Sequence, residues 1–452
     1  MCLLEWAGEC DVESDALVTV PQRKVPVGGE FNVVVVGGGS AGLAAAVSAG
    51  RAGASVLLVE RLSYLGGMST AGLVGTFCGL YVSQDGEPKP VVEGLALEIL
   101  ARLEGRGGLG PVEPVAGGRT HIRAYDLESL KVVADELVVS AGVEVAFGCR
   151  LVDLDLREGA VEAVLVETKQ GLQAFRCGVL IDASGDADAA WRAGATTELG
   201  SDGFLQLPSM MFKMANVGTA AEVPPEELRQ RMEAAVARGA FDLPRLSGSY
   251  RFTSRPGEVR CNMTRISLDG EPVDPTDWRQ LSRAERIGRQ QVEEYARFLC
   301  AEIPGFEDAY VSHVGAQLGV RESRRVLGDY QLTEDDVLGC RRFNDVIARN
   351  AWPLEIHRLG ANTDWRWLPD GQYHELPFRA LTVRGLTNVL TAGRCVSATH
   401  EAMASIRVIG NCYAMGQAAG TAAALAQAKQ VAPREVGIAA LQEQLRTDGA
   451  LL

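Results

Sequence analysis

The chain is 452 residues long, too long for one ordinary core, so two or three domains of about 150 residues each are expected. Hydrophobic residues make up 47% and charged residues 23%, an ordinary balance for a globular protein. Acidic residues outnumber basic ones by 58 to 44 and no basic block or stripe appears, which argues against nucleic acid as a partner.

Residues 1–30 read as an arm without periodicity. Its opening, MCLLEWAGECDVESD, is acidic, and its apolar run is too short for a signal peptide. Residues 31–37 (FNVVVVG) are a continuous apolar, β-branched run, as a central parallel strand requires. A small-residue helix over 40–51 follows, then a second strand over 55–59 that ends at Glu60. Helical spacing returns over 90–103 and 126–140, with Asp126 placed as an N-cap. From 143 to 176 the pattern becomes short alternating strands (VEVAF, RLVDLDL, AVEAVLVET, LQAFR), read as a three-stranded antiparallel insert on a parallel sheet. A further apolar strand over 178–181 runs into DASGD.

Residues 196–374 are richer in polar and aromatic side chains and read as a separate α+β domain on the substrate side. The strand pattern returns at 386–390, and a helix begins near Val408. Its run from 413 to 428 carries Gln417 and Gln427 and falls short of the roughly 20 apolar residues of a membrane span, so it reads as a buried helix. The expected fold is therefore α/β, with residues 31–195 and 375–452 forming one discontinuous domain around the inserted one. Ten scattered cysteines show no CxxC pair and no metal-type spacing, so no metal is expected, and reduced thiols in a cytoplasm fit best.

Gly37-Gly38-Gly39-Ser40-Ala41-Gly42 fits G-x-G-x-x-G between a strand and a helix. Gly37 allows the tight turn, Gly39 the approach of a pyrophosphate and Gly42 close helix–strand packing. The phosphates would sit at the helix N-terminus, where free N–H groups favour an anion. Glu60, about 20 residues on, is placed to accept hydrogen bonds from ribose hydroxyls. A second glycine pair, Gly66-Gly67, follows directly with Met68. A plain NAD domain does not need it, whereas a bulkier cofactor whose ring passes under this loop does. With the antiparallel insert and the late return to the same sheet, it points to a flavin.

The segments VVVVGGGSAGLAAA, LGGMSTAGLV, LIDASGDADAA, GVRESRRVLGDYQLT and LTNVLTAGRCVSATHEAMASIRVIGNCYAMGQAAGTAAA extend from about residue 31 to 425. Through them the chain resembles the FAD-dependent oxidoreductases among the glutathione-reductase-type Rossmann flavoproteins, distant relatives of the succinate dehydrogenase and fumarate reductase flavoproteins. The resemblance implies a Rossmann-type FAD-binding domain. It places pyrophosphate on Gly37, Gly39, Ser40, Ala41 and Gly42, and the adenosine end on Glu60, Arg61 and the backbone of Leu151. Gly66, Gly67 and Met68 would lie along the flavin, and Ala183, Ser184 and Gly185 would form a second turn near the pyrophosphate. Gly393 and Arg394 would close the late FAD motif, and Ser405, Ile406 and Arg407 would open a helix aimed at the flavin. Relatives with covalent flavin carry a histidine in the loop after the ribose acid; residues 61–70 contain none, so FAD is expected to be non-covalent. A second G-x-G-x-x-G is absent, so no NAD(P)H domain is expected and electrons would leave to oxygen, a quinone or a protein carrier.

Three residues are candidates for chemistry. His400, between the late FAD strand and the flavin-facing helix, is a proton acceptor, a substrate clamp or a structural histidine ordering its loop. Arg321 is a carboxylate or carbonyl anchor, a proton donor as the resemblance to the fumarate reductases implies, or half of an interdomain ion pair with Glu322 or another acid. His357 either projects toward the flavin or is a core histidine. Residues 364–369 (DWRWLP) come close to a halogenase motif but are one residue short, which leaves aromatic packing or pocket lining. The expected activity is hydride transfer from a small organic substrate to FAD. The alternatives are a flavin-bearing electron-transfer subunit of a multi-chain complex and a monooxygenase- or halogenase-like enzyme. A homo-oligomer is compatible with either.

Overall fold

The run VVVV lies at the centre of the molecule because it has no polar face to turn toward water: Val33, Val34 and Val35 are fully buried. The computed structural model describes residues 24–360 and 363–452. The central strand, β1, spans Val27–Val36, so it starts inside the segment read as an arm; residues 1–23 of that segment lie outside the described residues. β1 pairs in parallel with β2 (Val56–Glu60) on one side, and β3 (Glu144–Phe147) adds in parallel beyond β2. β4 (Arg150–Arg157) and β5 (Ala160–Thr168) form an antiparallel pair on the other wing. Between them and β1 runs β6 (Gly171–Asp182), antiparallel to β5 and parallel to β1. Val389–Thr391 returns to pair with the end of β6.

Two expectations are corrected here. VEVAF belongs to the parallel sheet, not to the insert, and LQAFR and GVLI are one strand. The pattern changes from alternating to continuously apolar along β6 because its cover changes. Gly178 is not a break: a Cβ there would meet the Gln427 side chain at 2.2 Å, so the glycine makes room for a helix packed on the strand.

Helix α1 (Ser40–Arg51) follows β1, and α2 (Leu127–Ser140) precedes β3, with the Asp126 carboxylate accepting the Ser129 N–H at 2.8 Å as its N-cap. A second sheet is built from β7 (Phe212–Ala215), β8 (Ser249–Phe252), β9 (Val259–Asn262) and β10 (Tyr310–Val314) in the order β8–β9–β7–β10, all antiparallel. Phe212, Met214, Val259 and Cys261 on one face bury in a core with Tyr295, Phe298 and Leu299 of the amphipathic helix α3 (Trp278–Glu302). That core draws on residues 210–318. Leu332, Ile347 and Leu354, from the same inserted segment, bury instead in the core around α1.

The chain ends in α4 (His400–Ile406) and α5 (Ile409–Lys429). Cβ atoms at Gly416 and Gly420 would lie 2.0 and 2.1 Å from the carbonyl oxygens of Ala41 and Ala45, so only glycine lets α5 approach α1 this closely. The pairing 416 with 41 and 420 with 45 makes the two helices parallel. Both N-termini point the same way, and α5 starts about 9 Å beyond α1 at 1.5 Å per residue. Among the described residues no helix is long and apolar enough to cross a membrane.

Candidate functional site

A cavity of ≈ 780 Å³ opens where the ends of β1, β2 and β6 meet the polar face of the second sheet. The turn after β1 forms one end. A Cβ on Gly42 would sit 1.7 Å from the Gly37 carbonyl oxygen, and one on Gly37 2.6 Å from that of Ala183, so the chain's own packing requires both glycines. Gly39 differs. Its φ of −68° suits any residue, and a Cβ would find no atom nearer than the Gly67 Cα at 3.9 Å. Nothing in the protein demands glycine there. Gly39, Ser40 and Ala41 line the cavity at the start of α1, where the dipole and free amides favour an anion.

Glu60 is buried beside them. One oxygen accepts the Gly38 N–H at 2.7 Å and the other the Leu62 N–H at 2.8 Å, which pins the glycine turn while each oxygen keeps lone-pair capacity for a hydroxyl. Arg61 and Leu151 complete this end. The second turn is organised by Asp182: its fully buried carboxylate accepts from the Ser184 N–H, the Ser184 hydroxyl and the N–H groups of Ala189 and Ala190 at 2.6–3.0 Å. Ala183, Ser184 and Gly185 are thereby turned to the cavity. Arg394 locks this turn through Asp186 at 2.7 Å and the Ser323 hydroxyl at 2.6 Å, and Gly393 lies beside it. Burial opposes ionisation of Asp186, but Arg394 and Ser323 outweigh it and hold the carboxyl below its usual range.

Further along, Gly67 and Met68 line the wall, while Gly66 (φ 108°) turns the chain behind them. The N-terminus of α5 faces the cavity through Val408, Ile409 and Cys412 and carries no side-chain cap. Ser405 and Ile406 do not open this helix. They finish α4, fully buried away from the cavity, and Arg407 caps it before Val408 resets the backbone to extended geometry. Arg407 alone of the three lines the cavity. Of the residues assigned to the cofactor, Gly42, Gly66, Ser405 and Ile406 are thus off the wall.

The three chemical candidates separate. His400 is 3% exposed and does not line the cavity. Its Nδ1 lies 2.7 Å from the Glu322 carboxylate, which is fully buried and also pairs with Arg325. Glu322 further accepts the Gln206 N–H, and Arg325 donates to the carbonyls of Ala398 and Gly200. This cluster fastens the inserted segment to the late loop. The Arg321–Glu322 ion pair therefore does not form. Arg321 instead lines the cavity, its Nη1 donating to the Leu207 carbonyl at 2.7 Å and the Ser209 hydroxyl at 2.9 Å. His357 lines it too, just past strand β11 (Leu354–Ile356).

In β11 Leu354 and Ile356 bury on one face, so Glu355 and His357 share the other. His357 Nε2 is 3.2 Å from Glu355 Oε1, and its Nδ1 is buried without a partner among the described residues. The Trp352 indole N–H reaches Glu355 Oε2 at 3.3 Å. Burial and the Arg321 charge push His357 well below the ordinary histidine range despite Glu355, so the ring is neutral near pH 7. Burial resists the charge on Glu355, yet the hydrogen bond from His357 and the charges of Arg407 and Arg321 hold it below the usual carboxylate range. Trp365 lines the same wall, stacked on Trp367 at 5.2 Å, so the DWRWLP stretch supplies aromatic lining.

The sequence reading missed Glu355, Asp182, Arg245 and Arg260. For Glu355 the signal was the Leu-Glu-Ile-His alternation. Asp182 stood at the end of an apolar strand. Arg245 and Arg260 carry no local signal, since the second sheet and the loop leading into it bring them to the cavity. Among the described residues no group of three or more His, Cys, Asp or Glu is placed to hold a metal.

A family model described as FAD dependent oxidoreductase matches residues 32–445. Digeranylgeranylglycerophospholipid reductase 2 of Methanothermobacter thermautotrophicus is 33% identical over 171 residues, 37% of this chain and 43% of the relative, so the chain spans less than half of that protein's length. Among solved structures, a geranylgeranyl bacteriochlorophyll reductase-like protein of Thermoplasma acidophilum gives a TM-score of 0.48 at 12% identity, covering 94% of this chain and 85% of its own. An anhydrotetracycline hydroxylase of Streptomyces rimosus gives 0.46 at 15% identity, with 92% and 66% covered.

Proposed function

The chain belongs to the FAD-dependent oxidoreductase family, and from that premise we propose that it oxidises a small organic substrate by hydride transfer, with FAD held non-covalently and His357 acting as base. The observation that carries this reading is the His357–Glu355 pair on the cavity wall. The open concavity at Gly39 fits a pyrophosphate passing to Ser40 and Gly185, with Glu60, Arg61 and Leu151 at the adenosine end and Gly67, Met68 and the N-terminus of α5 at the ring end. FAD, when bound, would supply a two-electron acceptor for a hydride, with oxygen, a quinone or a protein carrier as the onward acceptor.

The protein's own contribution is a positioned base. Glu355, ionised, accepts the Nε2–H of His357, which fixes the tautomer and leaves the Nδ1 lone pair free. The neutral imidazole takes a proton from an O–H, N–H or acidic C–H of the substrate, and the imidazolium so formed is stabilised by Glu355. Trp352 restrains the carboxylate and, with Trp365, presents apolar surface that limits water around it. His400 serves as a structural histidine in this reading. An isoprenoid lipid, the substrate in the curated relative's name, would need an apolar wall, and arginines line this one.

The test is anaerobic mixing of the FAD-loaded protein with a panel of small alcohols, amines and acids, following bleaching of the visible flavin band. A compound that bleaches the wild type should do so ~10²–10⁴ times more slowly in His357→Gln, with FAD content unchanged. Bleaching of His357→Gln at the wild-type rate would remove His357 from the chemistry.

A further inference from the structure

The substrate side of the cavity has a charge imbalance that the proposed chemistry does not use. Arg245, Arg260, Arg321 and Arg407 all line it, and so does Arg251. Arg251 is answered by Glu113 at 2.9 Å, and Arg407 approaches Glu355 at 4.0 Å. Arg245, Arg260 and Arg321 have no carboxylate partner among the described residues. Arg245 bonds only to neutral groups, the carbonyl and side-chain oxygens of Asn262 and the Ser247 hydroxyl. The bonds from Arg321 engage Nη1 alone, although a guanidinium carries five N–H donors. Arg260 is 8% exposed, and its Nη1 has no hydrogen-bond partner.

The arrangement is held by strong elements. Arg260 in β9 is directly opposite Arg251 in β8 and Lys213 in β7, so three cations share one face of the sheet, a pairing that disfavours the fold. Lys213 is answered by Glu258 at 3.0 Å; Arg260 is not answered. Its side chain crosses to the 67–76 loop, where Gly75 leaves space: a Cβ there would meet Arg260 Cδ at 2.9 Å. Burial pulls all three arginines below their ordinary range; Arg245 and Arg407 add repulsion on Arg321, and the Glu355 charge offsets only part of the effect on Arg245 and Arg321, as expected for cations with no carboxylate in contact. The remaining wall acid, Glu285, is engaged with the Leu318 N–H and Arg289.

The cofactor's phosphates do not supply the missing charge, since their cradle is at Gly39 and Ser40 on the α1 side. We infer that the substrate of this site is a small organic acid with at least two oxyanion groups, carboxylate or phosphate, seated on Arg245, Arg260 and Arg321. Buried guanidinium groups form their strongest hydrogen bonds with such oxygens, and Ser249 and Asn262 add polar atoms on the same sheet face. The inference rests on the reading of this cavity as a flavin enzyme's substrate chamber, and it deepens that reading by naming the substrate class. Seating an anion beside Arg321 also removes part of the repulsion that keeps His357 a weak base, so the acid prepares the group that deprotonates it.

The probes are succinate, citrate and inorganic phosphate, with succinamide and sodium chloride at matched ionic strength as controls. Each is titrated into the protein with and without FAD, following the thermal midpoint and, in the loaded form, the flavin spectrum. At least one of the three anions should raise the midpoint above both controls. A response to phosphate alone supports a phosphorylated acid, and a response to succinate or citrate a polycarboxylate. Arg260→Gln and Arg321→Gln should each weaken that probe about ten- to a hundredfold. Arg260→Gln should also raise the midpoint of the ligand-free protein, because it removes an unanswered charge; an arginine with a purely structural role would lower it. No effect of any anion beyond chloride on the wild type, loaded or empty, overturns the inference. Failure to take up FAD would overturn the flavin reading instead and leave the anion titration decisive.

Discussion

Substitution of Gly39 by alanine separates what the fold needs from what the ligand needs. In the free protein the new methyl enters open space, 3.9 Å from the nearest atom, at a backbone geometry alanine adopts freely. Losing unfolded-state entropy favours the variant by ~0.4–1 kcal/mol, while alanine is a poorer helix N-cap than glycine by a similar amount. The two nearly cancel, so ligand-free stability should stay within about 1 kcal/mol of wild type. The same methyl projects into the space assigned to the pyrophosphate. Overpacking of that kind costs ~1–3 kcal/mol, which is roughly five- to 150-fold in the FAD dissociation constant. Gly42→Ala is the contrast: its Cβ would meet backbone oxygen at 1.7 Å and cannot be relieved by a side-chain movement, so ~3 kcal/mol or more of stability should be lost with or without FAD. The assays are urea unfolding of the FAD-free proteins and equilibrium titration with FAD. If Gly39→Ala bound FAD as tightly as wild type, the phosphates would not cross Gly39 and the placement of the cofactor would be wrong.

Glu322→Ala should cost ~3–5 kcal/mol in urea unfolding, because it leaves Arg325 buried beside His400 without its carboxylate. Glu355→Gln should keep FAD and fold but slow flavin bleaching by ~10²-fold or more, since an amide no longer enforces the His357 tautomer. His374, fully buried against Asn350 and Ser405, is lowered by burial to about 4. The unfolded state then takes up a proton near pH 6.5 that the folded state refuses. Stability should therefore fall by ~3 kcal/mol as pH drops from 6.5 to 4 and be indifferent to this group above 6.5. His374→Gln should flatten that part of the pH–stability curve.

The parts of the site legible in the sequence are those whose physical requirements fall within a few residues of one another. The turn at Gly37, Gly39 and Gly42 lies between a continuous apolar run and a small-residue helix, and Glu60 closes the unit at the end of the next strand. Each of those constraints is local, and together they leave few alternatives. The parts that were not legible depend on chain segments far apart. Glu322 and His400 meet across 78 positions, so nothing near His400 shows that it is already engaged. Arg260 reaches the cavity only because β9 pairs with β8 and β7. Glu355 stood two residues from His357, but a strand of three residues offers too short an alternation to mark its exposed face. The break between α4 and α5 was hidden because Arg407 and Val408 are residues a helix tolerates. The chain turns there because Thr399 has already capped a short helix whose end packs on the 350–355 segment.

The most direct test of the central claim is a crystal structure of the chain with FAD bound. The account predicts the pyrophosphate against Gly39 and Ser40, the ring against Met68 and the N-terminus of α5, and His357 with Arg321 on the open side of the ring. A ring lodged elsewhere, or one that leaves His357 behind it with no path to a substrate, would contradict the account.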